Sequence, residues 1–386
     1  MQAVFLSDFQ RSSAIPSFNQ TDLNKIYLKF LSVAACLLQE VKTKEKANEI
    51  LLDFQQKMDS YGVKSNFIAH RKAAILPNNY FEGNNKKLKL PIIYQNIYEQ
   101  PNGANVVQRT KQHSVISYKI LEEWFGSNIE LNDEIKLITS SAYESPNVLQ
   151  KFISEKALNV LQSHTYANDC YGAFPAIEQA IGSIFNTFNH TQSISLVHIE
   201  LNSLHINLTD ATAENLIKMT LFGDGAIHYK VSNERKLNSF QLLKIAHHLI
   251  PNSSDQMTWQ PGPFNYQMTL KSYVPLFIND NIKTFLNKLF FKSEYLLNDC
   301  IKNAIWAIHP GGPKIVQFIK DKLSLSDEQV QYSYEVLKEN GNMSSATLPY
   351  IWQKIIDEPN IDSGRMIVSL AFGPGLTVYG MIMKKI

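Results

Sequence analysis

The chain has 386 residues, which is enough for two domains of ordinary size or for one large duplicated fold. Hydrophobic residues make up 44% of the sequence and charged residues 19%, a composition that excludes a globally disordered chain. The 37 basic and 35 acidic residues leave a formal net charge of +2, so the sequence lacks the electrostatic footprint of a nucleic-acid-binding protein.

Cysteine content and hydropathy indicate the compartment. The three cysteines, Cys36, Cys170 and Cys300, cannot form a disulfide framework and fit a reducing cytoplasm. No stretch approaches about eighteen uncharged apolar residues, the length that a spanning helix needs. The opening MQAVFLSDFQ has no basic segment followed by an apolar one, as a secretory signal would. We therefore expect a cytoplasmic protein with no membrane span.

Predicted strands and helices alternate along the first half of the chain, as in α/β folds. Thr21 and Asp22 are candidate caps for the first helix. The polar stretch at 75–91, rich in asparagine and proline, predicts a surface loop. In chain order the predicted elements are a strand at 3–9, two or three helices within 21–57, a strand at 134–143, a helix at 150–161, a helix that starts at Cys170, a strand at 193–201, a helix at 211–223 and a strand at 225–232.

The second half repeats this alternation after a polar stretch at 233–238, which we interpret as the junction between two halves. No short-period repeat is visible, so the similar element order indicates an internally duplicated fold. The predicted elements are a helix at 275–291, a strand at 303–310, helices at 311–323, 326–341 and 344–357, and a closing pair of strands within 366–386.

Cys170 is the first candidate catalytic residue. It lies where a short polar segment leads into an almost wholly apolar helix. The positive end of a helix macrodipole favours the thiolate form of a cysteine at such a place. Cysteine is also a common core residue, so a purely structural role stays open for Cys170 considered alone.

His309 and Asn342 are candidates of the same kind. His309 follows a buried strand and precedes a turn fixed by Pro310, Gly311, Gly312 and Pro313. Asn342 lies between the helix stop at Gly341 and the next helix, where asparagine is frequent for structural reasons alone. A cysteine, a histidine and an asparagine at the ends of three separate elements are nevertheless expected of a thiolate enzyme with an imidazole partner and an amide donor.

Four separated segments of the sequence resemble the strongest signatures of the chalcone synthase, or type III polyketide synthase, family. The 139-residue interval from Cys170 to His309 and the 33-residue interval from His309 to Asn342 also fit that family. The similarity extends more weakly over nearly the whole chain. The four segments are LFGDGA at 221–226, WAIHPGGP at 306–313, GNMSSAT at 341–347 and FGPGLTV at 372–378.

The resemblance implies a fold and a division of the chain. The family has an α/β, thiolase-like fold of two duplicated βαβαβ-type halves in five layers, usually as a homodimer. We expect an N-terminal half at residues 1–232, which carries Cys170, and a C-terminal half at residues 233–386, which carries His309 and Asn342.

The resemblance also implies a chemistry for the three residues. Cys170 would take a starter acyl group from coenzyme A as a thioester, and His309 would stabilise its thiolate as an ion pair. His309 and Asn342 would hold the malonyl thioester carbonyl during decarboxylation, and the resulting enolate would attack the acyl group on Cys170. No cofactor and no metal are implied, because the coenzyme A thioesters are substrates.

Further positions of this sequence match substrate-binding positions of the family. Phe222 corresponds to a gatekeeper phenylalanine between tunnel and cavity. Met268 lies in a stretch, 258–275, that resembles the cavity-lining segment of bacterial members. The other implied positions are Asn202 and His205 for starter choice and cyclisation, Gly311, Gly373 and Pro374 for the cavity wall, and Lys57 and Lys64 near the region that contacts the coenzyme A phosphates.

The sequence departs from the family pattern next to the nucleophile. The residue before the cysteine is usually glycine, and here it is Asp169. A carboxylate beside Cys170 would oppose thiolate formation unless it points away or is paired. Asn202 and His205 stand where plant chalcone synthases carry threonines. These changes keep the three reactive residues and put chalcone formation itself in question.

The predicted function is therefore extension of an acyl-CoA starter by malonyl-CoA to a pyrone, a resorcinol or a related polyketide. A β-ketoacyl carrier-protein synthase III, which shares the fold and the Cys-His-Asn chemistry, is one alternative, although the WAIHPGGP segment argues against it. The other alternative is a non-catalytic partner subunit of a condensing enzyme. In these readings a carrier protein or a partner condensing enzyme would be a binding partner.

Overall fold

The structure is a computed structural model, and it describes residues 3–77, 80, 90–126, 134–158, 163–166, 169–186, 193–271 and 273–386. Part of the loop predicted at 75–91 and the end of the helix predicted at 150–161 lie outside these residues. Within the described part of the chain, no helix has an apolar run long enough to cross a lipid bilayer.

The strands of the described residues alternate with helices for most of the chain. The strands are β1 (Val4–Arg11), β2 (Ser17–Asn19), β3 (His70–Lys72), β4 (Glu134–Ile138), β5 (Ser163–Tyr166), β6 (Ser193–Glu200), β7 (Gly225–Ser232), β8 (Phe240–Leu249), β9 (Met257–Pro261), β10 (Tyr266–Leu270), β11 (Ile305–Ile308), β12 (Met366–Gly373) and β13 (Thr377–Lys385).

The α-helices lie mainly between these strands, and short 3-10 turns occur at four further places in the described residues. The helices are α1 (Gln20–Leu38), α2 (Lys44–Tyr61), α3 (Val106–Phe125), α4 (Val148–Glu155), α5 (Ala173–Ile184), α6 (Ala213–Leu221), α7 (Val274–Phe290), α8 (Leu297–Asn303), α9 (Pro313–Leu323), α10 (Asp327–Asn340) and α11 (Thr347–Asp357). The 3-10 turns are Ile92–Tyr94, Asp169–Tyr171, Asn202–His205 and Ser344–Ala346.

Nine of the described strands form one mixed sheet in the order β11-β12-β13-β8-β1-β7-β6-β4-β5. Pairing is parallel between β11 and β12 and where β4 pairs with β5 and β6, and it is antiparallel elsewhere in the sheet. The strand β1 pairs with β7 on one side and with β8 on the other, so it joins the strands of the two halves of the chain.

Successive side chains along a strand point to opposite faces of the sheet. They therefore pack into three separate hydrophobic clusters. On β6, Ile194 and Leu196 pack in a central cluster, whereas Val197 and Ile199 pack with α1, α3 and α4. On β11, Ala307 faces the central cluster and Trp306 faces α7 and α9. Successive strand residues point to opposite faces, so each half of the sheet has helices on both sides. The two halves of the sheet and the helices on their faces therefore stack in five layers.

The helices α5 and α11 form the middle layer. Trp352 of α11 is fully buried, and its indole N–H donates a hydrogen bond to Ser369 Oγ on β12 at 2.7 Å. The same ring packs edge-on against Phe174 of α5 and Tyr229 of β7. One side chain thus ties both central helices to strands of both halves.

The observed elements confirm the predicted α/β fold class. Two local predictions are wrong. The cap of α1 is Asn19, whose side chain accepts from the Thr21 N–H, rather than Thr21 or Asp22. The helix predicted to start at Cys170 begins at Ala173, and Cys170 lies in the 3-10 turn before it.

Other elements were not predicted from the sequence. These are the helices α3 and α8 and the strands β2, β3, β5, β8, β9 and β10. The chain division at 232/233 falls between β7 and β8, and it stays a prediction.

Replacing Trp352 by alanine should lower the free energy of unfolding by about 3–5 kcal/mol, because it leaves a cavity between the two central helices. Urea denaturation followed by circular dichroism measures the change. Leu237→Ala is the control, since this side chain is 85% exposed and its loss should cost less than about 0.5 kcal/mol. Equal effects of the two substitutions would contradict the central role of this layer.

Candidate active site

Cys170 lies in a tight turn between β5 and α5. The preceding residue, Asp169, has a φ of 47°, in the left-handed region, and its carbonyl accepts the Gly172 N–H at 2.9 Å. A non-glycine residue in this conformation is uncommon, and aspartate is among the types that tolerate it. This tight turn changes the direction of the chain just before α5. Cys170 is partly exposed in it.

The neighbouring Tyr171 fixes this turn against β12. A Cβ added at Gly373 would lie 2.5 Å from Cδ1 of the Tyr171 ring, so only glycine permits this approach. The ring also stacks on Tyr379 of β13, with the centroids 5.2 Å apart. The segment FGPGLTV thus supports the residue that follows Cys170.

Asn342 is positioned by its backbone. Gly341 ends α10 with a φ of 71°, and the Asn342 N–H then donates to Leu221 O at 2.9 Å. The Asn342 carbonyl accepts the Gly223 N–H at 3.0 Å. The Asn342 side chain lies near enough to Cys170 to lower the pKa of its thiol, so the structure brings these two predicted residues together.

His309 lies at the end of β11, and its backbone N–H donates to Leu370 O of β12 at 2.8 Å. Its side chain is fully buried, and neither Nδ1 nor Nε2 has a hydrogen-bond partner among the described residues. Buried polar groups are nearly always paired, so a doubly unpaired imidazole is typical of a site that serves a ligand or a reaction. No contact between this ring and Cys170 is described.

The surroundings of Cys170 disfavour its anion. Burial raises the pKa of the thiol well above its ordinary value, and the carboxylates of Asp169 and Glu200 raise it further. Hydrogen bonds from Ser344 and Asn342 act in the opposite direction and are the weaker effects.

The charged form of the His309 imidazole is also disfavoured, because burial lowers the pKa of this ring to about 3. At neutral pH the two environments therefore favour a neutral thiol and a neutral imidazole. The thiolate–imidazolium pair implied by the resemblance stays a prediction.

A cavity of about 530 Å³ opens next to the turn that carries Cys170. Its wall combines the start of α3, the segment after β4 and the β9–β10 hairpin. Cys170, His309 and Asn342 are not among the described residues that line it, and Asp169 is the lining residue nearest to them in sequence. The described lining residues are Val106, Val107, Thr110, Lys111, Ser140, Ala142, Tyr143, Glu144, Asp169, Trp259, Pro261 and Tyr266.

Asn202 and His205 lie behind this wall. His205 is fully buried; its Nε2 donates to Ser141 O at 2.6 Å, and its Nδ1 accepts the Tyr266 N–H at 3.2 Å. The Asn202 amide donates to Gly223 O at 2.9 Å. Both side chains thus have protein partners, and they anchor the β9–β10 hairpin and the 221–226 segment.

Met268 lies on β10 opposite Trp259, which does line the cavity. Phe222 follows α6 and forms an isolated β-bridge with Asn342, so it lies beside the candidate site. Gly311 and Pro374 adjoin His309 and Gly373 in the chain. Contact of these residues with a substrate stays a prediction.

The two lysines predicted near a coenzyme A site belong to the surface around α2. Lys57 forms an ion pair with Asp53, with Nζ and Oδ2 2.7 Å apart. Lys64 donates to Asp59 O and lines a small cavity of about 220 Å³ between α1 and α2. Their role in binding coenzyme A stays a prediction.

The sequence reasoning missed Glu200, Ser140 and Trp259. Glu200 is fully buried at the end of β6, and Ser140 donates to it through its backbone N–H at 3.0 Å. Trp259 donates its indole N–H to Ser140 O at 2.8 Å. A charged residue that ends the otherwise buried strand SISLVHIE was the available signal, since buried charges are rare unless they serve a function.

Comparisons with known proteins agree with this geometry. Residues 241–386 match the model of the chalcone and stilbene synthases, C-terminal domain. Type III polyketide synthase C of Arabidopsis thaliana is 28% identical over 308 residues, which are 77% of this chain and 77% of that protein. Probable polyketide synthase 1 of Dictyostelium discoideum is 24% identical over 69% of this chain, but the chain spans only 8% of its length.

Solved structures share the whole fold. PKS-I from the brown alga Ectocarpus siliculosus superposes with a TM-score of 0.75 at 19% identity, covering 100% of this chain and 98% of that one. The 1,3,6,8-tetrahydroxynaphthalene synthase from Streptomyces coelicolor A3(2) superposes with a TM-score of 0.74 at 17% identity, covering 99% of both chains.

The fold is thus that of the thiolase-like condensing enzymes. Residues 241–386 match the family model, and a plant type III polyketide synthase aligns with most of the chain, so the chain is similar to the chalcone synthase, or type III polyketide synthase, family.

Gly373→Ala should destabilise the protein by about 1–3 kcal/mol, because the new methyl group overlaps the Tyr171 ring. Chemical denaturation measures this loss. Gly182→Ala in α5 is the matched control: a Cβ there meets nothing within 4 Å, and helix propensity should stabilise that variant by about 0.5–1 kcal/mol. A Gly373→Ala variant as stable as the unmodified protein would show that Tyr171 does not depend on this glycine.

Proposed function

We propose that the protein loads an acyl group from an acyl-CoA starter onto Cys170 and extends it by decarboxylative condensation with malonyl-CoA. The product is proposed to be a pyrone, a resorcinol or a related polyketide. The homodimer and the cytoplasmic location expected from the sequence belong to the same proposal.

One observation carries this proposal. The Asn342 side chain lies near enough to Cys170 to lower the pKa of its thiol, and the buried His309 imidazole has no hydrogen-bond partner for either nitrogen among the described residues. The combination offers a nucleophile, an amide donor and a free imidazole to a thioester. This combination supports acyl transfer better than a structural role. A buried histidine with a purely structural role would be expected to form hydrogen bonds with other residues of the core.

The proposed loading step is a thioester exchange. The Cys170 sulfur, having lost its proton, attacks the starter carbonyl, and the bond from that carbonyl to the coenzyme A sulfur breaks. The departing thiolate takes up a proton, so the step consumes acyl-CoA and releases free coenzyme A. The amide of Asn342 would stabilise the sulfur while it carries negative charge.

The proposed extension step needs donors for an oxyanion. When malonyl-CoA loses carbon dioxide, the electron pair of the broken carbon–carbon bond moves onto the thioester as an enolate. A neutral imidazole can donate one hydrogen bond to the enolate oxygen, and the Asn342 amide can donate another. The enolate carbon then attacks the acyl group on Cys170, and the thiolate leaves.

The cavity supports a starter with an extended or aromatic body. Trp259, Tyr266 and Tyr143 give its wall three aromatic rings, and a volume of about 530 Å³ lies within the usual range of small-molecule sites. Asp169, Lys111 and Ser140 add polar groups that could fix the orientation of oxygen atoms on the growing chain.

A second candidate function is favoured by one observation. The high pKa of the Cys170 thiol is what a non-catalytic partner subunit of a condensing enzyme would show. Acyl loading distinguishes the two, because a non-catalytic subunit would not form a thioester.

Cys170→Ala should reduce acyl loading to background while the fold persists, because no other group in the proposed site can form the thioester. Intact-protein mass spectrometry after incubation with an acyl-CoA measures the adduct, and circular dichroism checks the fold. Cys36→Ala, on the distant helix α1, is the control and should load normally. An acyl adduct of unchanged yield in Cys170→Ala would refute the assignment.

Asn342→Ala should keep acyl loading and lower the release of carbon dioxide from malonyl-CoA by about 10²–10³-fold, the usual cost of one oxyanion donor. Release of labelled carbon dioxide measures the second step separately from the first. Asn340→Ala, at the end of α10, is the control, since this side chain bonds Val336 O of its own helix. Unchanged decarboxylation in Asn342→Ala would remove the amide from the mechanism.

A further inference from the structure

A buried arginine lies behind the segment that holds Asn342, and the mechanism above does not use it. Arg71 is on the short strand β3 and is only 1% exposed. Its Nη1 donates to Met219 O and to Phe222 O, both at 2.7 Å. Both carbonyls lie at the C-terminal end of α6, where a helix leaves carbonyl groups without partners in the helix and has the negative end of its macrodipole. Arg71 therefore caps the C-terminal end of α6.

The other donors of Arg71 connect this end of α6 to α1. Nη2 donates to Asn24 Oδ1 at 2.9 Å, and Nε donates to the side-chain oxygen of Gln20. The Gln20 amide nitrogen in turn donates to Thr220 O of α6 at 2.8 Å. Arg71 and Gln20 thus hold the end of α6 together from the side of α1.

The aliphatic part of Arg71 packs against the end of α10. A Cβ added at Gly341 would lie 2.9 Å from Arg71 Cδ and 3.0 Å from its Cγ, so the arginine stem contacts the glycine that precedes Asn342. The chain just before β3 contacts α10 as well, because the Ala69 N–H donates to Lys338 O at 2.7 Å. One side chain thus contacts both the segment after α6 and the segment after α10.

These two segments are hydrogen-bonded to each other. The Asn342 N–H donates to Leu221 O at 2.9 Å, and the Gly223 N–H donates to Asn342 O at 3.0 Å. The two bonds place the Phe222 backbone, whose carbonyl Arg71 holds, opposite Asn342. A shift of the end of α6 would therefore move the Asn342 backbone.

The Asn342 side chain is oriented by the same stretch of backbone. Its Oδ1 accepts the Ser344 N–H at 2.8 Å, so the NH2 group is the part of the amide that remains to donate to a substrate. Because this orientation depends on the backbone at 342–344, a displaced backbone would move the donor away from a developing oxyanion. A misplacement of about 1 Å can cost about 10²-fold in rate.

Arg71 carries a charge in a place where charge is costly. Burial lowers the pKa of its guanidinium to about 10, against the opposing influence of Tyr27 and Asp224, so the group stays protonated at neutral pH. Its four hydrogen-bond acceptors among the described residues are all neutral. A buried charge is weak evidence of a contribution to stability, and in some systems such a group specifies one conformation instead. The conformation that Arg71 contacts is the pairing of the two segments that hold Asn342.

We propose that Arg71 is a positioning residue for the extension step: it holds the end of α6 so that the Asn342 amide faces the enolate formed by decarboxylation. The inference rests on the proposed function for the step that it names. Acyl loading should depend on Arg71 much less than decarboxylation does, because none of the described contacts of Arg71 reaches the turn of Cys170.

The first test uses Arg71→Met, which keeps an aliphatic stem against Gly341 and removes every donor. Hydrogen–deuterium exchange with peptide mass spectrometry should show the peptides that contain Gly223 and Asn342 exchanging about tenfold faster or more, the change expected when a hydrogen bond to a charged group is lost. Peptides of β12 and β13 should exchange at an unchanged rate, which separates a local shift from a general loss of stability. Unchanged exchange at both Gly223 and Asn342 would overturn the inference.

The second test is kinetic and compares the two proposed steps. Arg71→Met should lower the release of carbon dioxide from malonyl-CoA by about 10–10²-fold and keep acyl loading within about twofold of the unmodified protein. The double variant Arg71→Met/Asn342→Ala should be no slower than Asn342→Ala alone, because Arg71 acts through this amide. Loading that falls as far as decarboxylation, or a double variant slower than Asn342→Ala by the full effect of Arg71→Met, would contradict the inference.

Arg365→Met is the matched control. Arg365 also donates to the last carbonyl of a helix, Asn303 O of α8, at 2.9 Å, but it is exposed and lies just before β12. Exchange at Asn342 and decarboxylation should both stay unchanged in this variant, and changes equal to those of Arg71→Met would overturn the inference.

A milder variant keeps the test decisive if circular dichroism shows that Arg71→Met does not fold. Asn24→Ala removes one acceptor of the guanidinium and should still speed exchange in the peptides of Gly223 and Asn342, and no change there would overturn the inference. Exchange needs no coenzyme A thioester, so it decides the role of Arg71 even if the unmodified protein releases no carbon dioxide, a result that would refute the proposed function instead.

Discussion

The structure depends on one constraint: the Cys170 sulfur lies in a tight turn directly after Asp169, in surroundings that raise the pKa of its thiol. The turn exists because Asp169 adopts a left-handed conformation and because Tyr171 packs onto Gly373. Burial opposes every charged form in such a place, so the thiol, the imidazole of His309 and the carboxyl groups of Asp169 and Glu200 are driven toward neutrality.

The duplicated architecture brings together residues that are far apart in sequence. The turn of Cys170 leads into α5, which lies in the middle layer with α11, and the 3-10 turn that precedes α11 follows directly after Asn342. The two turns pack against each other because the halves of the sheet enclose these helices. His309 comes from β11 at the far end of the sheet order and adjoins the same region through β12.

Much of this could be predicted from the sequence where the signal was local. The strand–helix alternation gave the fold class, and the motif around Asn342 predicted a residue that does lie near Cys170. Predictions failed where conformation depends on distant contacts. Cys170 lies three residues before α5 because its turn is shaped by packing on β12, and the unpredicted β8 is defined by its pairing with β1 and β13. Ser140 donates to Glu200 across 60 residues of sequence, a contact that no linear pattern shows.

In the most direct test, the unmodified protein is incubated with malonyl-CoA and a series of acyl-CoAs of graded chain length. Peptide mass spectrometry then locates any thioester, and product analysis counts the carbon atoms added. The account predicts an acyl group on the peptide that contains Cys170 and released products longer than the starter by whole two-carbon units. An acyl group found only on Cys36 or Cys300, or the absence of both thioester and extended product for every starter, would contradict it.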